Sequence, residues 1–181
     1  MTEIKVQLRQ IEMPDVAQLN ALQETPFHKV VRFPFGFGQA AGWLEGIAAS
    51  NVDSFFVITA AKEGSARVVG LCGLTKIDWV SRHAEIFFAM IDKDKAKASI
   101  QEQAATTTAF QNLLQYGFRT LNLNRLYVCI ADNNKSLNSL EAAGFIIEGI
   151  SEEAEFLDGK MRQTIHLALL ATEYENARHN S

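Results

Sequence analysis

The chain has few of the residues that would commit it to a disulfide-stabilised or metal-binding class. It contains two cysteines among 181 residues, Cys72 and Cys129, and both stand inside apolar strand patterns. This placement predicts two small buried hydrophobic side chains in a reducing compartment. The chain also has only four histidines. These are too few clustered ligands for a metal site, so we predict that no metal is bound.

The sequence also lacks an extreme of charge. The formal net charge is −4, with 48% hydrophobic and 21% charged residues, which is an ordinary globular balance. A general polyanion-binding role is not indicated, so we expect no nucleic-acid partner. The length suits one domain with a sizeable core, which we predict over residues 1–181. No internal repeat, low-complexity run or linker divides it.

Long apolar runs are missing as well. The N-terminal stretch MTEIKVQLRQ has no apolar signal core, and no segment is long enough to cross a bilayer. We therefore expect a cytoplasmic protein without a membrane partner. A monomer and a homodimer both remain open.

What is present is a regular succession of strand and helix patterns. Ile4, Val6 and Leu8 alternate with polar residues and predict a first strand with one buried face. Helices are predicted from Pro14 and Gln39, then strands at residues 55–60, 67–76 and 84–91. An amphipathic helix starting near Ala104 leads to a strand at 125–131, and two strands follow at 145–156 and 161–170. This order predicts an α/β (α+β) fold with a mixed central sheet of six to seven strands flanked by helices.

The most informative stretch is residues 124–145, NRLYVCIADNNKSLNSLEAAGF. It predicts a buried strand, a polar turn at 132–135 and a short helix at 136–143. Gly144 is predicted to be the left-handed C-terminal cap of that helix, with Phe145 packed back onto it. A strand that ends in a polar turn and a helix N-terminus presents free backbone amides to a ligand.

The spacing of Asn133-x-x-Ser136, Gly144-Phe145 and Glu148-Gly149 resembles the second half of the GNAT acyltransferase signature. Residues 69–74, 82–86, 152–160 and 173–174 resemble other parts of the same family, in the same order. The branch most similar is that of the ribosomal-protein N-terminal acetyltransferases. The resemblance implies a GNAT fold and acetyl-CoA-dependent N-acetylation of a primary amine, either a protein N-terminus or a small amine such as an amino sugar.

The resemblance also implies a loop that binds the pyrophosphate of acetyl-CoA. The residues that align with it are Gln101, Glu102, Gln103, Ala104, Ala105 and Thr106. Ala104 and Thr106 stand where small residues, usually glycine, let the phosphates approach the backbone, and Glu102 adds an unfavourable charge. These departures leave two alternatives open. One is a catalytically inactive binding or regulatory protein of this fold, and the other is a transferase for a longer acyl-CoA.

Two catalytic roles follow from the resemblance. Ser136 is implied as the group near the leaving thiol, and Glu155 as the base that removes a proton from the amine. The tyrosine that many family members use near the thiol is replaced here by Leu140. Each assignment has an alternative. Ser136 is also a good helix N-cap, Glu155 could be an ordinary edge-strand residue, and strand alternation would put Glu153 on the same face as Glu155.

Binding roles are implied for further residues. Backbone amides near Phe88, Ala89 and Met90 are implied donors to the oxyanion, and Asn133 is an implied partner of the pantetheine arm or else a plain turn residue. Glu85 is predicted either to anchor the substrate amine or to face outward at a sheet edge. Phe35 and Phe37 belong to an aromatic loop, interrupted by Pro34 and Gly36, that either lines the substrate pocket or covers the core.

Overall fold

The computed structural model describes residues 5–19, 37–62, 65–91, 100–132, 136–157 and 159–179, and residues 37–40, 62, 65, 100–103 and 157 by their backbone only. Within these residues the elements are β1 (Lys5–Arg9), α1 (Met13–Leu19), α2 (Phe37–Ala49), β2 (Ser54–Lys62), β3 (Ser65–Asp78), β4 (His83–Met90), α3 (Ile100–Gln115), β5 (Arg125–Ala131), α4 (Leu137–Ala142), β6 (Ile146–Leu157), β7 (Lys160–Leu170) and α5 (Ala171–His179). A π-helical turn, Tyr116–Thr120, follows α3. Of the described helices, none combines the length and the apolar character that crossing a membrane requires.

The strands form one seven-stranded sheet in the order β1-β2-β3-β4-β5-β7-β6. Strand β4 pairs with β5 in parallel, whereas β1 with β2, β2 with β3, β5 with β7 and β6 with β7 pair antiparallel. A parallel pair requires a crossover connection, and α3 lies in the chain between β4 and β5. The predicted mixed α/β sheet is therefore confirmed, with seven strands.

Two predicted element boundaries are wrong. Helix α2 begins at Phe37, which the sequence assigned to a loop. Helix α3 begins at Ile100 rather than near Ala104, so residues 101–106 form its first turns instead of a loop ahead of it. The sequence pattern Ser99-x-x-Glu102 is that of a helix capping box, which favours the earlier start.

The residues form two compact units. The first comprises Met1–Thr75 and Phe87–Tyr116, and the second Lys76–Ile86 and Gly117–Ser181. The buried cluster of the first unit consists of Leu19, Val57, Val68, Leu71, Phe87 and Ala89, with Ile11, Trp43, Phe55 and Ile91 packed against it. Burial of each large apolar side chain stabilises the unit by about 1.5–3 kcal/mol.

An ion pair in the first unit joins the end of β1 to α1. The guanidinium of Arg9 donates to both carboxylate oxygens of Asp15 at 2.8 and 2.9 Å, and the backbone amide of Glu12 donates to the same carboxylate at 2.8 Å. Only 6% of the Asp15 side chain is exposed. Burial acts to raise the pKa of Asp15, but Arg9 and the Glu12 amide outweigh it and hold that pKa below its ordinary value.

In the second unit, α4 ends as the sequence predicts. The amide of Phe145 donates to the carbonyl of Leu140 and that of Gly144 to the carbonyl of Glu141, which is the hydrogen-bond pattern of a Schellman motif. Gly144 has a φ of 95°, which favours glycine. Buried Leu140 and Phe145 carry the helix onto the core of this unit, whose other members include Leu123, Leu126, Ile130, Ile165, Leu167 and Leu169.

Candidate active site

One face of β4, β5 and β7 in the second unit is polar. Cys129 lies opposite His166 across β5 and β7, and Glu85 of β4 is in register with Tyr127 of β5. Because directly paired residues project to the same side of a sheet, these four side chains share one face, called the polar face below. The alternate residues are buried on the other side: Leu126, Ile130, Ile165, Leu167 and Leu169.

Glu85 is the charged centre of the polar face. Its Oε2 atom lies 2.6 Å from Nζ of Lys76 on β3, and the Glu85 side chain is 16% exposed whereas that of Lys76 is 72% exposed. Hydrogen bonding to Glu85 raises the pKa of Lys76, so this ammonium stays charged at neutral pH. A sparsely solvated carboxylate here thus holds a primary ammonium group.

Next to Glu85 the polar face carries a chain of three hydrogen-bonding side chains. Sγ of Cys129 lies 3.3 Å from Nδ1 of His166, and Nε2 of His166 lies 2.8 Å from Oγ of Ser151 on β6. The prediction that Cys129 is buried is wrong, since its side chain is exposed. The apolar run of β5 supplies both faces of a strand, and Cys129 falls on the polar one. Cys72 is buried, as predicted.

Titration on the polar face is governed by burial and by Glu85. Partial burial and then the Glu85 carboxylate raise the pKa of both Tyr127 and Cys129 above their ordinary values. Both groups therefore stay protonated at neutral pH. Two arrangements are consistent with a protonated thiol: Cys129 donates to Nδ1 of His166 while Nε2–H donates to Ser151, or Nδ1–H donates to Cys129 while Ser151 donates to Nε2.

Strand β6 departs from regular pairing beside this chain. Ser151 pairs with Thr164 and Glu155 with Arg162, so three β6 residues lie opposite Gln163 alone. Glu153 has a φ of 48° in this bulge. Simple alternation, on which Glu153 and Glu155 were predicted to share a face, does not hold here, because a bulge interrupts the pairing between Ser151 and Glu155.

Ser136 stands at the N-cap position of α4, but its side chain makes no capping hydrogen bond there. The capping alternative is therefore not supported. On α3, Ala104 is exposed, Ala105 is buried and Thr106 is half-buried. Asn133 and Phe35 lie outside the described residues, and no side-chain position is described for Phe37, Gln101, Glu102 or Gln103.

In the first unit, the end of β4 packs tightly. Phe88 makes an edge-to-face contact with Phe110 of α3, at 5.4 Å between ring centres, and Ala89 is buried. A Cβ atom at Gly70 would lie 2.5 Å from the carbonyl oxygen of Ala89 and 2.9 Å from Sδ of Met90. Glycine is thus required at position 70 of β3 because β4 approaches so closely, whereas the role of these backbone amides as oxyanion donors stays a prediction.

The sequence did not predict five members of the polar face and its surroundings: Lys76, Tyr127, Cys129, Ser151 and His166. A signal existed for His166, because it is the only ionisable residue in the apolar run of residues 165–170. No comparable signal existed for Lys76, which is separated from Glu85 by a turn and has a φ of 53°.

The model of the acetyltransferase (GNAT) domain family matches residues 5–146 of this chain. The chain belongs to the GNAT acetyltransferase family. The resemblance noted in the sequence is therefore confirmed for the family, and with it the predicted enzyme class, an N-acetyltransferase. The match also covers β1 to α4, so the polar face lies largely on GNAT elements, with β7 beyond the matched residues.

Three relatives with similar sequences carry the names of two kinds of N-acetyltransferase. The chain is 31% identical over 110 residues to the "Putative ribosomal N-acetyltransferase YdaF" of Bacillus subtilis, covering 60% of this chain and 57% of that protein. It is 27% identical over 127 residues to a spermidine N(1)-acetyltransferase of Vibrio cholerae, covering 70% and 68%. Over 175 residues it is 26% identical to the spermidine N(1)-acetyltransferase of Escherichia coli K12, covering 93% and 88%.

The GNAT fold extends over nearly the whole chain. A crystal structure of the Vibrio cholerae spermidine N-acetyltransferase in complex with CoA and spermine superimposes with a TM-score of 0.79, covering 94% of this chain and 98% of that one. The sequence identity is 23%, so this likeness concerns the fold alone. It confirms the predicted fold class independently of the family model.

Proposed function

We propose that this chain is an acetyl-CoA-dependent N-acetyltransferase whose acceptor is the primary amine of a small polycation of the polyamine class. The observation that carries the proposal is the Glu85 carboxylate, which is sparsely solvated and holds a primary ammonium at 2.6 Å. A carboxylate in such surroundings favours a cation and binds it through a charge-assisted hydrogen bond. Relatives named spermidine N(1)-acetyltransferases support the same class of acceptor.

The charge of the second unit is also in keeping with a cationic acceptor, since Glu152 and Glu153 on the β6 bulge are exposed. Gln163 donates to both carboxylate oxygens of Glu152. The bulge lies opposite Gln163, whereas Glu85 is level with Ala168 of β7, so these carboxylates are roughly 20 Å from Glu85. They can attract a polycation toward this unit, but they do not bind the same spermidine molecule as Glu85.

Acetyl-CoA is expected at the start of α3. The amides of residues 100–103 have no carbonyl four residues earlier within the helix, and the helix dipole favours a diphosphate there. Exposed Ala104 leaves room for close approach. The charge of Glu102 opposes binding, and Asn133 is proposed as the partner of the pantetheine arm, as the family resemblance implies.

In the proposed reaction, the nitrogen of the neutral amine attacks the thioester carbonyl of acetyl-CoA, a C–N bond forms and the C–S bond breaks. Glu155 is proposed to take the proton from the amine, and Ser136 to donate a hydrogen bond to the leaving sulfur. His166 is a second group able to accept a proton, since imidazole nitrogens serve often in this role. Amides near Phe88, Ala89 and Met90 would stabilise the oxyanion.

The test is acetylation of a panel of amines by the full chain, with products identified by mass spectrometry. Because Cys129 is an exposed thiol, direct product detection is preferable to assays that use thiol reagents. The panel contains spermidine, spermine, an amino sugar and a short peptide with a free N-terminus. We expect acetylated spermidine or spermine as the main product.

Three other outcomes would overturn the proposal. Acetylation of the peptide alone would favour a protein N-terminus as acceptor, in line with the ribosomal relative. Binding of acetyl-CoA in a thermal-shift assay without any product would favour a catalytically inactive binding protein, and a preference for longer donors would favour another acyl-CoA. Cytoplasmic location and the absence of nucleic-acid and membrane partners stay predictions.

A further inference from the structure

The Lys76–Glu85 pair is asymmetric in a way that bears on acceptor binding. Glu85 is largely shielded, with 16% of its side chain exposed, whereas 72% of the Lys76 side chain is exposed. The carboxylate belongs to β4, where it is in register with Tyr127 of β5. The ammonium is at the tip of a long side chain with several rotatable bonds. The anchor is thus shielded, whereas its cation lies at the tip of an exposed and flexible side chain.

The backbone of Lys76 is unusual as well. Its φ of 53° lies in the left-handed region that residues with a Cβ adopt rarely. A regular strand would not hold this conformation, and it occurs within β3 at the residue whose ammonium reaches Glu85. The Lys76–Glu85 contact therefore lies at a local irregularity of β3.

We propose that Lys76 is an internal competitor for the acceptor amine: its ammonium occupies the Glu85 carboxylate in the free protein, and the ammonium of the acceptor displaces it on binding. This inference rests on the proposed function, because it gives Glu85 the role of amine anchor. Both competitors are primary ammonium groups, so the carboxylate exchanges one partner for another of the same chemistry.

The protonation state of Lys76 decides how it acts. Glu85 raises the pKa of Lys76, so the group is a cation rather than a nucleophilic amine at neutral pH. It therefore competes for the carboxylate but is a poor acceptor of the acetyl group itself. Competition also makes Lys76 a determinant of specificity. An acceptor with a single ammonium exchanges one ion pair for another and therefore gains little binding free energy. A polyamine adds contacts from its further charges, which favours it over a monoamine.

The experiment compares KM for spermidine in the parent protein with that in Lys76→Met, Lys76→Arg and Lys5→Met. Lys5 is an exposed residue of β1, so its variant removes one positive charge without touching Glu85. We expect Lys76→Met to lower KM by about two- to five-fold, the range of one exposed ion pair. Lys76→Arg should keep KM at or above the parent value, because a guanidinium holds a carboxylate more firmly, and Lys5→Met should stay near the parent value.

A Glu85→Gln background separates this inference from the proposed function. Glu85→Gln should raise KM. Adding Lys76→Met to this variant should not lower KM, because the carboxylate that Lys76 occupies is no longer there. Lysine NMR gives a readout that does not need turnover: the ammonium resonance of Lys76 should move when spermidine is added without acetyl-CoA. An unchanged or higher KM in Lys76→Met, or an unmoved Lys76 resonance under saturating spermidine, would overturn the competitor role even if the protein acetylates spermidine.

Discussion

Each unit of the chain holds a short ion pair, and the two pairs differ in how firmly their partners are fixed. In the first unit, Arg9 and Asp15 share two hydrogen bonds, and a backbone amide binds the same carboxylate. In the second, Nζ of Lys76 lies 2.6 Å from Oε2 of Glu85, and 72% of the Lys76 side chain is exposed. The first pair holds its carboxylate with three hydrogen bonds and ties β1 to α1, whereas the second has a cation that we propose to be exchangeable.

The difference teaches how to separate a structural charge from a functional one. Both carboxylates are poorly solvated, so burial alone does not distinguish them. What distinguishes them is the cation: a planar guanidinium that binds in two places favours a permanent contact, and a flexible ammonium favours exchange. Each prediction below alters one side of this comparison, and we begin with the largest expected effect.

Removal of the proposed catalytic groups should abolish most turnover and leave the fold intact. Glu155→Gln and Ser136→Ala should each lower kcat by about ten-fold to a thousand-fold, because each removes a proton acceptor or a donor to sulfur. The measurement is the initial rate of acetylation on the best amine. Ser136→Ala should lose less than the roughly 1 kcal/mol that an N-cap serine contributes, since its side chain makes no capping hydrogen bond.

Glu153→Gln is the matched control for Glu155, because it removes the same charge from the bulge of β6. We expect its turnover to stay within a few-fold of the parent protein. If Glu153→Gln were as impaired as Glu155→Gln, the bulge as a whole rather than one carboxylate would carry the effect. A large loss in His166→Gln with normal Glu155→Gln would instead assign the base to His166.

Asp15→Ala should lose stability rather than activity. The change removes the bonds from Arg9 and from the Glu12 amide, and leaves both donors without this partner. We expect a loss of about 1–3 kcal/mol in the free energy of unfolding, less than for a fully buried pair because 38% of Arg9 is exposed. Urea denaturation measures it. Glu12→Ala is the control, since that side chain is 68% exposed and 3.8 Å from Arg9.

The same carboxylate makes a testable contribution to acid sensitivity. The pKa of Asp15 is lower in the folded than in the unfolded chain, where it is about 3.9. Its contribution is therefore fully present above that unfolded value and is lost as the pH falls through the folded value. The stability difference between the parent protein and Asp15→Asn should shrink below about pH 4. A difference that stays constant from pH 6 to pH 3 would contradict the linkage.

Much of the fold can be predicted from the sequence. The two faces of β5 show which part can be predicted and which part cannot. The apolar residues Leu126 and Ile130, and Leu167 of β7, are buried, as hydrophobic runs bounded by turn residues predict. The polar side of the same strands depends on register and on the strand order β4-β5-β7-β6, which pairs residues far apart in sequence. A one-residue shift in register would exchange the faces, so Cys129 could not be assigned from its neighbours alone.

Local irregularities account for the other errors. The positive φ angles of Glu153 in the β6 bulge and of Lys76 in β3 occur at residues other than glycine. The residue types therefore did not indicate these irregularities in the sequence. For α3, the pattern Ser99-x-x-Glu102 indicates the observed start at Ile100. The proposed roles of Ser136, Glu155 and Glu85 came from the family resemblance and stay predictions.

The smallest expected effect concerns Glu102, a carboxylate that belongs to neither of the two pairs compared above. If residues 101–106 at the start of α3 bind the pyrophosphate, Glu102→Gln removes a repulsion on the order of 1 kcal/mol, which is several-fold in affinity. The gain should shrink as salt rises, because screening weakens the repulsion that was removed. Calorimetric titration with coenzyme A at two ionic strengths measures both the affinity and its dependence on salt.

Glu141→Gln, a substitution at an exposed residue of α4, controls for the change in net charge. Weaker binding in Glu102→Gln would show that the carboxylate stabilises the helix start more than it repels phosphate, and no heat from any variant at millimolar ligand would exclude coenzyme A from this site.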